Sequence, residues 1–335
     1  MARRGFATDA RQSLFYLVAE STPGTYAAPD GGVTSAIRLI SQPSFEVGGT
    51  PKVTREDMIQ ALPGGAPPVL GARFRSVSFE CYLTEWGDTS SATDHELAGF
   101  FAACPVTITT GAALTMVPKS HVTAGVSVTW AEENGDVHTI EGGRGTFTLV
   151  AGEDMLWRVQ GTVSGIYRAV VAESAYTDVN GDALVFTTPA YTTEPIIRAD
   201  EVDLTESIGG SSEIEGLRAV EFNPAHFVSE RSDMTASSTG YTLPFATHQG
   251  QAQLSITFDG LDEASLAVFG DAEANNGNAF TVTAETGGAD KLVIALADAY
   301  LDFPTIGENN GMRTYDCVLR GVPSTGFDAY TIFFR

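Results

Sequence analysis

The chain has 335 residues, 42 acidic and 19 basic, for a formal net charge of −23. So negative a surface repels phosphates, which excludes a general nucleic-acid binder, and it disfavours anionic membranes. Hydrophobic residues at 43% and charged residues at 18% exclude disorder, and the length fits about two domains of roughly 150 residues.

The chain opens on Met1-Ala2-Arg3-Arg4-Gly5-Phe6, positively charged but followed by no apolar run of signal-peptide length. No window approaches the ~20 apolar residues of a membrane helix. Cys81, Cys104 and Cys317 are odd in number and stand in separate contexts. That predicts reduced, cytosolic synthesis rather than a disulfide framework.

A long loop is expected after Val47, running through Pro63-Gly64-Gly65-Ala66-Pro67-Pro68. Val77, Phe79, Cys81 and Leu83 then alternate with Ser78, Glu80 and Tyr82, the period of a strand with one buried face. A helix of about ten residues follows, with Thr93 or Asp94 as N-cap and Leu97, Phe100, Phe101 and Cys104 on one face. So short a helix needs a sheet to dock on. Val126 to Trp130 leads through Asn134-Gly135 to Val137–Ile140, which reads as a hairpin with a type I′ turn. Two strands close the unit: Thr146 to Val150, then Met155, Trp157, Val159 and Gly161, ending at Ser164-Gly165.

The order then repeats. Val53-Thr54-Arg55-Glu56-Asp57-Met58 resembles Val228-Ser229-Glu230-Arg231-Ser232-Asp233-Met234, each placed similarly after Phe45 or Phe222. A second long loop spans Asn223 to about Gly250. Leu254, Ile256 and Phe258 match the first strand, and Asp262 caps a helix with Leu266 and Phe269 on its face. Phe280–Thr283, Gly287-Gly288 and Leu292–Leu296 match the hairpin. Tyr300–Pro304, then Tyr315, Cys317, Leu319 and Gly321, match the closing strands. Two diverged copies of one β-rich unit are expected, joined by an extended connector around Ala190 to Pro195.

Site motifs are weak. Asp178-Asn180-Asp182 has calcium-loop spacing, but Ala183 and Pro189 stand where Gly and Glu are needed, so a hairpin turn is the better reading. Asp88-Thr89-Ser90 lacks the second carboxylate of an aspartic protease. Gly142-Gly143-Arg144-Gly145 lacks the lysine of a phosphate loop and reads as a bulge. His95, His121, His138, His226 and His248 show no metal-ligand spacing, and no Gly-x-Ser-x-Gly elbow occurs. No catalytic, cofactor-binding or metal residue is expected, and no cofactor.

Three stretches are similar to the tail tube proteins of long, flexible-tailed (siphovirus-type) bacteriophages. Glu20-Ser21-Thr22-Pro23-Gly24-Thr25-Tyr26-Ala27-Ala28-Pro29 resembles their usual start. Arg144-Gly145-Thr146-Phe147-Thr148-Leu149, Gly152-Glu153 and Gly161-Thr162-Val163-Ser164-Gly165 resemble their closing strands. The resemblance covers most of residues 15–170 and, more faintly, 200–335. It implies a mainly β fold: two tandem tail-tube-like β-sandwich or barrel domains, each with one short flanking helix. Residues 1–170 form the first with an N-terminal arm, 171–200 a connector, and 201–335 the second.

The resemblance further implies a structural virion protein, made in the host cytoplasm, and not an enzyme. Six such domains form a ring, so a two-copy chain makes trimers, which stack into a DNA-conducting tube. Partners are then other copies of the chain and other tail proteins (tape measure, terminator, distal tail). DNA passes without specific binding, and no membrane is involved. Pro63, Gly64, Gly65, Pro67, Pro68, Ser237, Ser238 and Gly240 are the candidate inter-ring loop residues, expected to order on contact with the adjacent ring. Glu80, Asp259, Asp302 and Asp316 lie on polar strand faces and are candidates for the lumen. Two alternatives stand beside this reading: another phage structural protein (tail terminator, baseplate or capsid decoration), or a soluble carbohydrate-binding β-sandwich, which wants aromatics clustered on one exposed face.

Overall fold

The computed structural model describes residues 14–29, 36–48, 74–132, 135–168, 170–172, 176, 194–199, 202–205, 216–232, 241–248, 250–260, 264–274, 277–285, 290–324 and 326–335. Of the candidate loop residues, Pro63, Gly64, Gly65, Pro67, Pro68, Ser237, Ser238 and Gly240 all lie outside the described residues. So do Asp178–Asp182, Asp262 and Gly287-Gly288.

The fold is mainly β. In chain order come β1 (Leu14–Ala19), β2 (Ser44–Gly48), β3 (Phe74–Tyr82), α1 (Ala98–Ala102), β4 (Val106–Thr109), β5 (Leu114–Pro118), β6 (Val126–Ala131), β7 (Asp136–Ala151), β8 (Trp157–Tyr167) and β9 (Val171–Ala172). Next come β10 (Val202–Thr205), β11 (Leu217–Asn223), β12 (His226–Ser232), β13 (Tyr241–His248), β14 (Ala252–Asp259) and α2 (Ala264–Ala274). The chain finishes with β15 (Asn278–Glu285), β16 (Asp290–Leu301), β17 (Thr305–Asn309), β18 (Met312–Gly321) and β19 (Thr331–Phe334).

Period-two patterns place the strands as expected. Val77, Phe79 and Cys81 of β3 are buried, as are Leu254, Ile256 and Phe258 of β14. Their polar alternates face outward. Five antiparallel pairings then recur in order. β1–β6, β2–β3, β3–β8, β6–β7 and β7–β8 are answered by β10–β15, β11–β14, β14–β18, β15–β16 and β16–β18.

In the first run, β2, β3, β8 and the end of β7 make one layer. β1, β6, the start of β7 and β9 make the other. β7 serves both because it carries a bulge: its register against β8 shifts between Glu141 and Arg144. Gly142 has φ 63, a left-handed conformation that costs glycine little. A Cβ on Gly143 would stand 2.6 Å from the Val126 carbonyl oxygen, so the two chains approach here only without a side chain. The sequence reads this one strand as two because the glycines interrupt the alternation. β16 likewise joins two expected strands.

Other expectations need correction. α1 spans five residues, not about ten, and neither Thr93 nor Asp94 caps it. The His95 ring replaces the cap: its Nδ1 accepts from the Leu97 N–H at 3.0 Å, and the ring stacks on Trp86 at 4.6 Å. The helix therefore starts only after that turn. Leu97, Phe100, Phe101 and Cys104 are all buried, as their spacing predicts. Of the expected Asn134-Gly135 turn after β6, Asn134 lies outside the described residues. Gly135 has φ 86, and its N–H donates to the Glu132 carbonyl at 3.0 Å. Met155 has φ 53 and lies in the turn before β8, not in the strand. Within the expected loop Asn223–Gly250, His226–Ser232 and Tyr241–His248 are strands, β12 paired antiparallel with β13.

No break in the sheet divides the two runs. Val220, Glu221 and Phe222 of β11 pair with Ala151, Val150 and Leu149 of β7. β19 returns from the C-terminus to lie between β16 and β5. One hydrophobic core therefore runs through both. Within 171–200, residues 194–199 run between the end of β3 and the start of β8: Ile197 is buried, its N–H donates to Leu83 and its carbonyl accepts from Trp157.

Candidate conduit surface

The β7–β11 pairing fuses two layers into one curved sheet, ordered β2, β3, β8, β7, β11, β14, β18, β16. Alternation sends one side of every strand into the core and the other outward. The outward side is mostly polar, with Val150 of β7, Ala219 of β11 and Val318 of β18 set among the polar side chains. β2 and β3 contribute Ser44, Ser76, Ser78 and Glu80, and β7 and β8 contribute Thr146, Thr148, Gln160, Thr162 and Ser164. β11 and β14 give Glu221, Gln253, Ser255, Thr257 and Asp259. β16 and β18 give Tyr300, Asp316 and Arg320, with Asp302 just past β16.

Short side chains bond to one another across the strands. Ser78 Oγ and Thr162 Oγ1 are 3.0 Å apart, Ser164 Oγ donates to Ser76 Oγ at 3.3 Å, and Thr257 Oγ1 donates to Asp316 Oδ1 at 2.7 Å. The arginines at this surface are engaged by carboxylates. Arg158 donates to Asp154 and, at 3.4 Å, to Glu80. Arg218 donates twice to Asp259, at 2.5 and 3.1 Å, and Arg320 Nε donates to Asp302 at 2.6 Å. Hydrogen bonds donated to these partners hold the guanidinium of Arg158 (Asp154 first) and of Arg218 (Asp259) above the usual arginine range. A guanidinium so paired is a poor ligand for a passing phosphate, since it would first have to give up its carboxylate.

The four acidic residues expected on polar faces, Glu80, Asp259, Asp302 and Asp316, come together on this surface. Sequence reasoning missed the arginine partners, whose pairings form only once the strands are in register. It also missed the continuity of the surface, because the β7–β11 joint leaves no periodic signal of its own.

Elsewhere the titratable groups are structural. Burial pushes the His95 ring down to about 4 and His226 down to about 3, and pushes the Cys317 thiol up to about 12. Cys81 and Cys104 are likewise buried, with thiols pushed well up by desolvation. Among the described residues, no three of His, Cys, Asp and Glu converge as a metal site. Asp88 accepts from the Ser90 N–H at 2.8 Å, a local turn bond of the expected loop. Trp86, Trp130 and Trp157 are all buried, so none offers a platform for a sugar ring. No helix among the described residues is long and apolar enough to cross a membrane. No family model and no curated protein matches the chain.

Proposed function

We propose that this chain is a structural virion protein, the major tail tube subunit of a long-tailed bacteriophage, which assembles head to tail into rings and stacks them around a DNA channel. The observation that carries the reading is the eight-strand sheet with one largely polar face and carboxylate-paired arginines. A conduit for DNA has to be wettable and must not hold phosphates. A surface of hydroxyls, amides and carboxylates meets both demands, because binding a phosphate backbone needs available cations. The recurring strand pairings support two sheet units per chain, so that the six-unit ring the resemblance implies would take three chains. In that role the chain's partners are further copies of itself and the proteins that end and fill the tail.

The carbohydrate-binding alternative is weakened by the burial of all three tryptophans. Negative-stain microscopy of the purified full chain tests the proposal. Rings of about six units, or tubes, are expected. A protein that stays monomeric at high concentration and is retained on glycan or DNA resin would overturn it.

A further inference from the structure

The joint between β7 and β11 is made once inside the chain, and laying the two runs in register finds the strands that would make it again. The β6–β7 register shifts just past the pair Val126–Gly143, and the β15–β16 register just past Asn278–Ala299, so the two bulges match Gly143 with Ala299. Gly165 of β8 lies against the first bulge, where a Cβ on it would stand 3.0 Å from Gly143 Cα, and Gly321 of β18 is paired with Ala299. Gly165 is therefore the counterpart of Gly321. Two residues back along β8 and β18, Val163 and Leu319 face Val77 and Leu254, which in turn face Phe45 and Phe222. Six residues back, Val159 and Tyr315 face Leu149 and Ile306. Phe45 is thus the counterpart of Phe222, and Ile306 of Leu149. Inside the chain, Phe222 and Leu149 are paired.

We infer that β2 of one chain pairs antiparallel with β17 of a second copy, setting Phe45 against Ile306, Ser44 against Gly307 and Glu46 against Thr305. The inference rests on the self-assembling reading above and names the two strand edges it uses.

Two independent observations support it. First, the backbone groups point the right way. The Leu83 N–H donates to the Trp157 carbonyl at 2.8 Å, and the register of β3 on β8 is unbroken, so Val77 also turns its N–H and C=O to β8. Phe45, opposite Val77, then turns its own away from β3. The Gly260 N–H donates to the Arg313 carbonyl at 2.7 Å, which makes Phe258–Tyr315 the next hydrogen-bonded pair of β14 and β18. Tyr315 is thus engaged by β14, and Ile306, opposite it, turns its N–H and C=O away from β18. Among the described residues β2 is in register only with β3 and β17 only with β18, so both sets face an open edge, a ready template for a further strand. Second, burial is finished at the internal joint and unfinished at these edges. Alternation sets Phe45 and Ile306 on the core side, across from the buried Val77 and Tyr315. Ile306 is nonetheless 48% exposed, whereas Leu149 is 1% exposed beneath the joint. Phe45 stacks on Trp130 at 4.7 Å but is only partly covered, whereas Phe222 is fully buried. The joint between chains is the shorter of the two: Pro43 stands where the internal joint has Val220, and a proline brings no N–H. A contact that uses two different surfaces of the same chain is heterologous, so it closes a ring or extends a filament and cannot stop at a dimer.

A cysteine cross-link tests the register. Glu46 and Thr305 are both exposed in the single chain and fall opposite each other next to the hydrogen-bonded pair Phe45–Ile306. Positions so placed bring their Cα atoms to about 4.5 Å, within the reach of a disulfide. The native cysteines Cys81, Cys104 and Cys317 are buried and do not compete. Chains carrying Glu46→Cys are mixed with chains carrying Thr305→Cys under mild oxidation. A disulfide-linked pair is expected from the mixture and not from either variant alone. Rings without that cross-link would overturn the register and leave the tube reading standing; neither rings nor cross-link would overturn both. Ile306→Asp gives a second readout in sedimentation. Self-association is expected to weaken at least about tenfold, because the joint would bury an unpaired carboxylate, while the circular dichroism of the single chain stays unchanged. Undiminished association of this variant contradicts the inference.

Discussion

Glu20 shows how much one buried side chain can hold. Its carboxylate accepts from the Gly24 N–H at 2.7 Å, the Ser127 hydroxyl at 2.8 Å and the Gly142 N–H at 2.6 Å. It thereby ties the N-terminal segment to β6 and to the bulge of β7. Glu20→Ala leaves those buried donors unmatched, and about 1–3 kcal/mol of stability should be lost, read as a lower urea midpoint. The sequence offers Glu20 only as part of a familiar opening stretch, since two of its partners, Ser127 and Gly142, lie more than a hundred positions away. Histidines give the second residue-scale prediction. His226 packs on Phe147, pairs with Tyr330 through Nε2 at 2.9 Å and meets the His248 ring edge-on. Desolvation lowers His226 to about 3, His95 to about 4 and His248 in the same direction, from an ordinary value of 6.5. Because these rings are neutral when folded, their contribution is complete above pH 6.5 and is lost as the pH falls through 6.5 toward the folded values. Glu96, raised by burial to about 7, and Glu141 and Glu230, raised by desolvation, work in the opposite direction above 4.5, against four lowered histidines once His138 is included. The melting temperature should therefore rise from pH 4 to 6.5; a flat profile would contradict this account of the buried histidines.

At the scale of elements, the bulge of β7 does two jobs. It bends one strand through both layers, and it provides the seat for the β12–β13 hairpin. Leu243 of β13 fills the space a side chain on Gly142 would need: a Cβ there would stand 2.2 Å from Leu243 Cδ2. Gly142→Val meets both that clash and the cost of a positive φ, so about 1–3 kcal/mol of destabilisation is expected. Hydrogen exchange should speed up in 226–232 and 241–248 first, because the variant displaces what the hairpin rests on. Strands with a clear period-two alternation were legible here, as in β3 and β14, and so was the β6–β7 hairpin, whose strands are adjacent in sequence. The hairpin β12–β13 was not. Its one buried face includes Pro244 and Ala246, small residues that give little hydrophobic rhythm, and it packs on strands of the other run. The cap of α1 was misread for a related reason: Thr93 and Asp94 have the right chemistry, but the stacking of His95 on Trp86 decides where the helix starts.

For the molecule as a whole, the repeat was readable because duplication copies local patterns. What duplication does not copy is the way the two units meet. β19 returns to β5, and β4–β5 occurs between helix and hairpin only in the first run. The internal joint is therefore reinforced in both layers. A joint between chains has no second β4–β5 hairpin among the described residues to engage β9. Mild denaturant should accordingly dissolve an assembly into intact single chains before either half unfolds, seen as loss of large species in sedimentation with unchanged circular dichroism. The central claim is that copies of this chain join head to tail through the surface that already joins its two halves. Native mass spectrometry of the assembled wild-type protein tests it most directly. The account predicts a closed ring with the mass of three chains; a persistent monomer, or a closed dimer that grows no further, would contradict it.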